Sequence, residues 1–558
     1  MTNEECRMTS EFRNTNGTTG AARPGVWASS FFRHATFLIR HFPPPPASAR
    51  GKVAGPSTAL RKASAALRMT GLLGALLMML GALAHAQENL ENPPLPGEPR
   101  TAKLPEPVET TLANGLRVIV VERPGLPLLA AQLVVKSGGE VDPAEGAGAM
   151  EMLATLLMRG AGKRGAPQLA QAIEALGGSI ATGAGWDATT AKLTVMTTQA
   201  EPALGILRDV VRRPALAATE VERLRAETLD ELRVKMEEPG VLAKAAAARV
   251  IFGDGPYGHL LGGTPKSVAR LSRTQLAKLH ATYFRPDNAV LIFVGSVTAQ
   301  QGQAWAAEFF GDWKNPAVPL PAPSASAPPA PPRVVIIDMP NAGQAAVVVG
   351  KAAVARKAAD YFPGLVASSV LGGGYSARLN AEIRVKRGLT YGAASDLGAR
   401  RAGGAFIAAA QTKNSAGPEV ATLMRAELDR LGAEPVPAAE LTPRTSTLTG
   451  AFDRSLETNE GIATRLASLA ALDLPLGTLA TFTADVRAVP AAAVQKFARE
   501  HLRGGATSVV IAGHAESFRA TLGEAFKDAE IIPQKALDLD ATSLRAAAKD
   551  AKGKAEIR

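Results

Sequence analysis

The pattern of hydrophobic and polar positions repeats along the chain in two similar halves. The first half opens with the turn Asn114-Gly115, which leads into a β-rich run from Leu116 to Val121. The second opens with RVVIIDMPNAGQAAVVVG, in which two β-rich runs flank a Pro-Asn turn. Each half then alternates strands with long Ala/Leu/Arg-rich helices and closes on a helix and a strand. This pattern predicts an α+β fold made of two tandem homologous α/β sandwich halves.

A stretch rich in Pro, Ala and Ser separates the two halves. Residues 315–333 read NPAVPLPAPSASAPPAPPR, a composition that cannot form a core and favours an extended, stiff and solvated linker. This boundary places an N-terminal domain at 105–314 and a C-terminal domain at 334–530. The segment 531–558 is polar and charged, and we expect it to be a peripheral tail.

The segment before the first half has the features of an export signal. Basic residues at 61–68 precede an apolar run at 71–83, and an Ala-His-Ala cleavage site follows at 84–86. The apolar run is too short to span a bilayer as a helix. We therefore expect a signal peptide at 69–86, cleavage before Gln87, and no membrane span in the mature chain.

The residues upstream of this signal do not belong to a predicted domain. Met69 stands where an export signal normally starts, so residues 1–68 are expected to be an over-called start or a disordered leader, and a genuine long leader is the alternative. The sole cysteine, Cys6, lies in this segment. A mature chain of this size needs no disulfides to stabilise its core. Export and the lack of cysteine in the mature chain together predict a periplasmic location.

The net charge of +11 comes mostly from the leader. Ten basic and three acidic residues precede Gln87, which leaves a charge of only +4 on the mature chain. A nearly balanced chain provides no electrostatic footprint for a phosphate backbone. We therefore exclude nucleic acid as a partner.

Four separated phrases point to one protein family. They are TLANGLRVIVVE, KSGGEVDPAEGAGAMEMLATLLMRGAGKR, GPYGHLLGGTPKSVARLSRTQLAKLHATYFRPDNAVLIFVGSV and LGGGYSARLNAEIRVKRGLTYGAASDL. Through these phrases residues 105–530 resemble the pitrilysin/insulinase (M16) metallopeptidase family. The resemblance implies an M16 peptidase-like fold, in which two tandem halves clamp a peptide in a chamber.

Active members of this family carry H-x-x-E-H on the first helix of the N-terminal half. Residues i and i+4 share one helix face, so two histidines can hold one zinc ion while the glutamate activates its water. The family's register, anchored on Gly160, places the motif on Glu151, Ala154 and Thr155. Alanine cannot accept a proton, and threonine is a poor zinc ligand. The resemblance therefore implies a degenerate motif, with no complete catalytic set and no metal in this chain.

Other metal-ligating residues are sparse in the mature chain. It has four histidines, at positions 259, 280, 501 and 514, and no two of them are three or four residues apart. We expect each to make one structural hydrogen bond at a turn, a helix end or in the core. Glu231 is the nearest match to the family's third zinc ligand. Without histidines, a solvated helix face is the favoured interpretation of Glu231.

The second half keeps a different part of the family's pattern. In active relatives an Arg and a Tyr from this half reach the substrate backbone and the developing oxyanion, and the register here assigns them to Arg384 and Tyr391. On chemistry alone, Arg384 belongs to a basic helix face and Tyr391 to a strand, where tyrosine is common. Their joint presence in register favours substrate binding over surface decoration, because both side chains can donate hydrogen bonds to an oxyanion.

The neighbouring Gly372-Gly373-Gly374 run could suggest a phosphate-binding loop. It lacks the Lys-Ser/Thr that follows such loops and the G-x-G-x-x-G spacing, so this interpretation is weak. A loop between helices, where the backbone can approach a peptide closely, is the favoured interpretation.

Three functions are compatible with these residues. The favoured one is the zinc-less, substrate-binding subunit of a two-chain periplasmic peptidase, in which a partner chain with H-x-x-E-H supplies zinc and the general base. That partner makes a heterodimer the expected assembly, and a homodimer is possible. A non-enzymatic binding or scaffold protein with the same fold is the alternative. An independently active peptidase with another metal site is disfavoured by the histidine inventory.

Overall fold

The structure, a computed structural model, describes residues 104–322 and 330–546. The signal peptide predicted at 69–86 and the leader predicted at 1–68 lie outside the described residues. Within the described part of the chain, no helix is long and apolar enough to cross a membrane.

The first half folds around one six-stranded mixed sheet. Its elements are β1 (Val108–Thr111), β2 (Arg117–Glu122), β3 (Leu128–Val135), α1 (Ala149–Leu156), β4 (Gly160–Ala161), β5 (Arg164–Gly165), α2 (Ala166–Glu174), β6 (Ser179–Ala184), β7 (Thr189–Met196), α3 (Ala200–Arg212), α4 (Ala218–Lys235), α5 (Pro239–Phe252), α6 (Pro265–Arg270), α7 (Arg273–Tyr283), β8 (Ala289–Gly295) and α8 (Ala299–Phe310). The strand order is β1-β2-β8-β3-β7-β6, with β2 and β8 parallel and the other neighbours antiparallel. The short strands β4 and β5 pair separately.

The second half folds around a second six-stranded mixed sheet. Its elements are β9 (Val334–Asp338), β10 (Ala345–Ala353), α9 (Tyr361–Gly372), a π-helical segment (Asn380–Val385), β11 (Thr390–Gly398), β12 (Gly404–Thr412), α10 (Gly417–Ala433), α11 (Ala438–Arg454), α12 (Asn459–Ala471), α13 (Thr478–Arg487), α14 (Ala491–His501), β13 (Ser508–Gly513) and β14 (Glu530–Pro533). The strand order is β11-β12-β10-β13-β9-β14, in which β9 is parallel to both β13 and β14.

The two sheets repeat one topology. In each, the first long strand (β2 or β9) lies parallel to the last long strand (β8 or β13), and the second long strand (β3 or β10) pairs antiparallel with that last long strand. In the first half the hairpin β6–β7 pairs with β3 and leaves β6 at the sheet edge. In the second half the hairpin β11–β12 pairs with β10 and leaves β11 at the sheet edge. The α+β fold with two homologous halves, predicted from the sequence, is confirmed.

Both faces of each sheet are buried, which explains the continuous apolar runs in the sequence. In β2, Val118 and Val120 pack with the helices of their own half, whereas Ile119 and Val121 belong to a separate apolar cluster on the opposite face. Successive side chains of a strand point to opposite faces, so burial on both sides removes the alternation of apolar and polar residues.

One helix from each half covers the sheet of the other half. Leu466 of α12, in the second half, shares a buried cluster with Ile292 of β8. Val250 of α5, in the first half, shares another with Val510 of β13. Each sheet is therefore sandwiched between its own helices and a helix of the other half, and the described parts of the two halves form one compact unit.

The end of the described chain is more buried than a peripheral tail. Ile532 pairs alongside Ile337 in the sheet, and the side chain of Leu544 is fully buried. Residues 530–546 thus complete the second half, whereas the sequence analysis places a tail from residue 531. Strand β14 has only four residues and ends at Pro533, so its pattern carries little strand signal.

Candidate functional site

The candidate site is built around α1, which begins after a glycine in the left-handed region. Gly148 has φ +91°, and a Cβ at this position would lie 2.8 Å from the backbone of Gly262, so a side chain here would be strained and obstructed. The Asp142 carboxylate accepts hydrogen bonds from the backbone N–H groups of Gly148 and Met150, both at 2.8 Å. These bonds satisfy donors of the first helical turn and fix where α1 begins.

Two of the three positions assigned to the motif connect α1 to the edge strand β6. Glu151 Oε2 accepts a hydrogen bond from the Ala184 N–H at 3.2 Å, and the carbonyl of buried Ala154 accepts one from Thr182 Oγ1 at 2.7 Å. Thr155 Oγ1 donates to the Glu151 carbonyl one helical turn earlier, at 3.0 Å. Each motif position therefore already has a partner within the first half.

Helix α4 lies beside α1 and carries Glu231 towards the same place. Arg159 pairs with Glu227 across the two helices at 3.0 Å, and two turns further along α4, Lys235 pairs with Glu231 at 2.6 Å. Burial raises the pKa of Glu151, and a backbone hydrogen bond and the positive charge of Lys235 oppose this shift. Lys235 is thus the ion-pair partner of Glu231, and its charge also acts on Glu151.

The histidines have local partners. The rings of His259 and His280 hydrogen-bond to backbone carbonyls, and burial lowers the pKa of both. His501 Nε2 lies 3.3 Å from Asp360 Oδ2. With Glu500, these two form the single group of three possible metal ligands found within 104–322 and 330–546. It lies in the second half, and Glu500 is exposed to solvent.

Arg384 and Tyr391 lie on the two arms of one tight turn in the second half. Arg384 belongs to the π-helical segment Asn380–Val385, a geometry that recurs at functional sites. Gly388, with φ +64°, donates its N–H to the Arg384 carbonyl at 2.9 Å, and the chain then enters β11 at Thr390, directly before Tyr391. Tyr391 is 87% exposed. The guanidinium carbon of Arg384 lies 4.8 Å from the ring centroid of Tyr375.

The glycine run before Tyr375 serves close packing. A Cβ on Gly372 would lie 2.1 Å from the backbone N of Ser395 in β11, and a Cβ on Gly373 would lie 2.7 Å from Ser369 in α9. Strand β11 and the last turn of α9 therefore fill the space next to these two glycines. The sequence interpretation, in which a peptide approaches this backbone, is corrected for both positions.

A second feature near α1 was missed by the sequence analysis. The hairpin tip between β11 and β12 enters the first half, where Arg401 Nη1 pairs with Glu140 at 3.0 Å and Nη2 donates to three backbone carbonyls. The guanidinium of Arg400 lies 4.4 Å and 4.7 Å from the ring centroids of Trp186 and Tyr257. In the sequence this tip reads ARRAGG, a pattern typical of a solvated turn.

Comparison with known protein families gives two adjoining matches. Residues 117–260 match the model of insulinase (peptidase family M16), and residues 270–443 match the model described as the peptidase M16 inactive domain. An uncharacterized zinc protease of Mycobacterium leprae is 30% identical over 307 residues, which cover 54% of this chain and 68% of that protein. One of Streptomyces coelicolor is 27% identical over 363 residues, 64% of this chain and 79% of that protein.

Solved structures agree with this assignment. The peptidase M16 inactive domain from Pseudomonas fluorescens superposes with a TM-score of 0.68 at 26% identity, covering 73% of this chain and 98% of that one. A protease from Helicobacter pylori shares the fold with a TM-score of 0.70 at 19% identity, covering 74% and 100%. This chain has the same duplicated fold, in which a helix of each half covers the sheet of the other half. The chain belongs to the M16, or insulinase, family of peptidases.

Proposed function

We propose that this chain is the zinc-less, substrate-binding subunit of a two-chain zinc metallopeptidase that degrades or processes peptides in the periplasm. One observation carries the proposal. The motif positions of the first half are engaged in internal hydrogen bonds, while in the second half Tyr391 is exposed and Arg384 is partly exposed. A chain that lacks the metal-binding part and keeps the substrate-binding part is suited to complete the site of another chain.

The donor chemistry of the first half does not fit a zinc ion. Structural and catalytic zinc sites use imidazole, thiolate or carboxylate ligands in a tetrahedral set. Here Glu151 and Glu231 are the available donors, and both already have partners. The ammonium of Lys235 already pairs with Glu231, and its charge favours the ionised form of Glu151. A fully buried Ala154 offers no group that could activate water. We infer that zinc is held by the partner subunit.

Arg384 and Tyr391 have the chemistry to bind a peptide backbone. A guanidinium and a phenol both donate hydrogen bonds, and neither requires a metal to polarise a carbonyl oxygen. In the shared site, these groups would stabilise the charge that develops on the peptide carbonyl during attack by water. Hydrolysis itself would depend on the zinc and the base of an M16 chain that carries H-x-x-E-H.

A scaffold role without catalysis is the second candidate. A relative named cytochrome b-c1 complex subunit 1 of Caenorhabditis elegans is 26% identical over 214 residues, which cover 38% of this chain and 45% of that protein. Its name assigns it to a complex. A scaffold would explain the absence of the motif histidines, but it gives no reason for Arg384 and Tyr391 to be in the family's register.

The two functions are distinguished by purifying the tagged chain from its own host. We expect a zinc-bearing M16 chain to co-purify. The intact mass of the tagged chain should match a chain that begins at Gln87 after export. The complex should cleave a quenched peptide. Arg384→Ala should lower kcat/KM by 10²- to 10³-fold, the loss typical of removing one oxyanion donor.

The matched control is Arg519→Ala, which removes an exposed, ion-paired arginine of the same half. It should leave kcat/KM unchanged. Isolation of the chain without a zinc-bearing partner, or equal activity of the Arg384→Ala and Arg519→Ala complexes, would contradict the peptidase proposal and favour the scaffold.

A further inference from the structure

An exposed aromatic side chain adjoins Arg384 without any role in the core. Tyr375 directly follows the glycine run at the end of α9, and it is 64% exposed. Single exposed apolar side chains are common on folded proteins, so the meaning of this ring depends on the group that it contacts.

The loop that carries Tyr375 is held on both sides. The Gly374 carbonyl accepts a hydrogen bond from Asn380 Nδ2 at 3.0 Å. The Ser376 hydroxyl accepts one from Arg444 Nη2 at 2.7 Å. Two residues further on, a buried arginine pairs in a bidentate manner with a glutamate of α11, at 2.8 and 2.9 Å. The backbone of Tyr375 is therefore fixed, and its ring has a defined place.

Arg384 differs from its basic neighbours in its partners. Lys386 and Arg387 both pair with Glu382. Within the described residues the Arg384 side chain takes part in no ion pair or hydrogen bond, and its guanidinium lies over the ring of Tyr375. Contact with a ring occupies the guanidinium face, whereas the five N–H donors lie in its plane and stay available.

We propose that Tyr375 is a positioning residue for Arg384. Its ring holds the guanidinium by a cation–π contact and leaves the N–H edge free to bind a peptide carbonyl. This inference rests on the proposed function, because it assumes that Arg384 binds peptide. Since an exposed cation–π contact is weak, loss of the ring should weaken peptide binding by about two- to fivefold.

The test measures binding of fluorescein-labelled β-casein, an unfolded polypeptide, to the mature chain by fluorescence anisotropy. Tyr375→Phe keeps the aromatic face and should bind as the wild type does. Tyr375→Leu keeps apolar bulk without the aromatic face and should raise Kd about two- to fivefold. In an Arg384→Ala background, Tyr375→Leu should change Kd no further, because the residue acts through Arg384.

The outcomes separate the two ideas. If the wild type binds no casein, or if Arg384→Ala leaves Kd unchanged, the proposed function is overturned together with this inference. If Arg384→Ala weakens binding while Tyr375→Leu does not, or if the two effects add in the double variant, only the positioning role fails. Additive effects would assign Tyr375 a peptide contact of its own.

Discussion

At the residue scale, the positions of α1 to which the family's register assigns the motif make internal hydrogen bonds. Glu151, at the first ligand position of the family's register, accepts a hydrogen bond from the N–H of Ala184 at the end of edge strand β6. The family's register, anchored on Gly160, assigns the motif to Glu151, Ala154 and Thr155, and this assignment stays a prediction. It could not reveal their partners, because Thr182 and Ala184 are reached only when β6 packs beside α1.

We expect Glu151→Ala to destabilise the first half through this edge contact. The change removes the acceptor of the Ala184 N–H and should lower the free energy of unfolding by about 1 kcal/mol. Glu151→Gln keeps a side-chain oxygen in the same place and should cost less. Urea unfolding of both variants measures the difference. Equal stabilities of Glu151→Ala and the wild type would show that the hydrogen bond contributes nothing.

At the element scale, strands were predicted more completely than the contacts between them. The β-rich runs that became β2, β9 and β10 were visible because burial on both faces makes them continuously apolar. The π-helical segment left no local signal, since π geometry depends on one extra residue per turn and not on composition. The hairpin tip with Arg400 and Arg401 was equally hidden, because its two charges are matched only inside the first half.

This hairpin predicts a pH-dependent stability. Burial raises the pKa of Glu140 to about 7, although the charge of Arg401 opposes the shift. A carboxyl whose pKa is higher in the folded state binds its proton more tightly there. The stability it contributes is therefore greatest below about pH 4.5 and is lost as the pH rises to about 7, by at most about 3 kcal/mol.

Glu140→Gln tests this expectation, because the amide cannot titrate. Thermal unfolding between pH 4.5 and 8 should show a smaller decline in stability for this variant than for the wild type. The residual slope comes in part from Asp142, whose pKa burial raises to about 8. Glu524→Gln, at an exposed position, is the control and should keep the wild-type slope. Parallel profiles for the wild type and Glu140→Gln would contradict the assignment.

At the scale of the whole molecule, the sequence predicts the two similar halves but not the exchange of helices between them. Matching patterns in two stretches predicted two halves, but the exchange of α5 and α12 joins residues that are far apart in the sequence. The sequence contains one indication of this helix exchange. Helix α5 is apolar nearly all round, which is typical of a helix that contacts protein on every side.

The exchange predicts that the halves cannot separate when the chain between them is cut. Each half alone would expose the sheet face that the other half's helix covers, a loss of several buried aliphatic side chains at about 1.5–3 kcal/mol each. A protease site inserted between residues 322 and 330, then cleaved, should therefore give two fragments that co-elute at the size of the uncut protein. Their unfolding should remain a single transition, because neither sheet keeps its sandwich without the other half. Elution of two independent folded fragments would mean that the covering helices contribute little, and that each half is a domain in its own right.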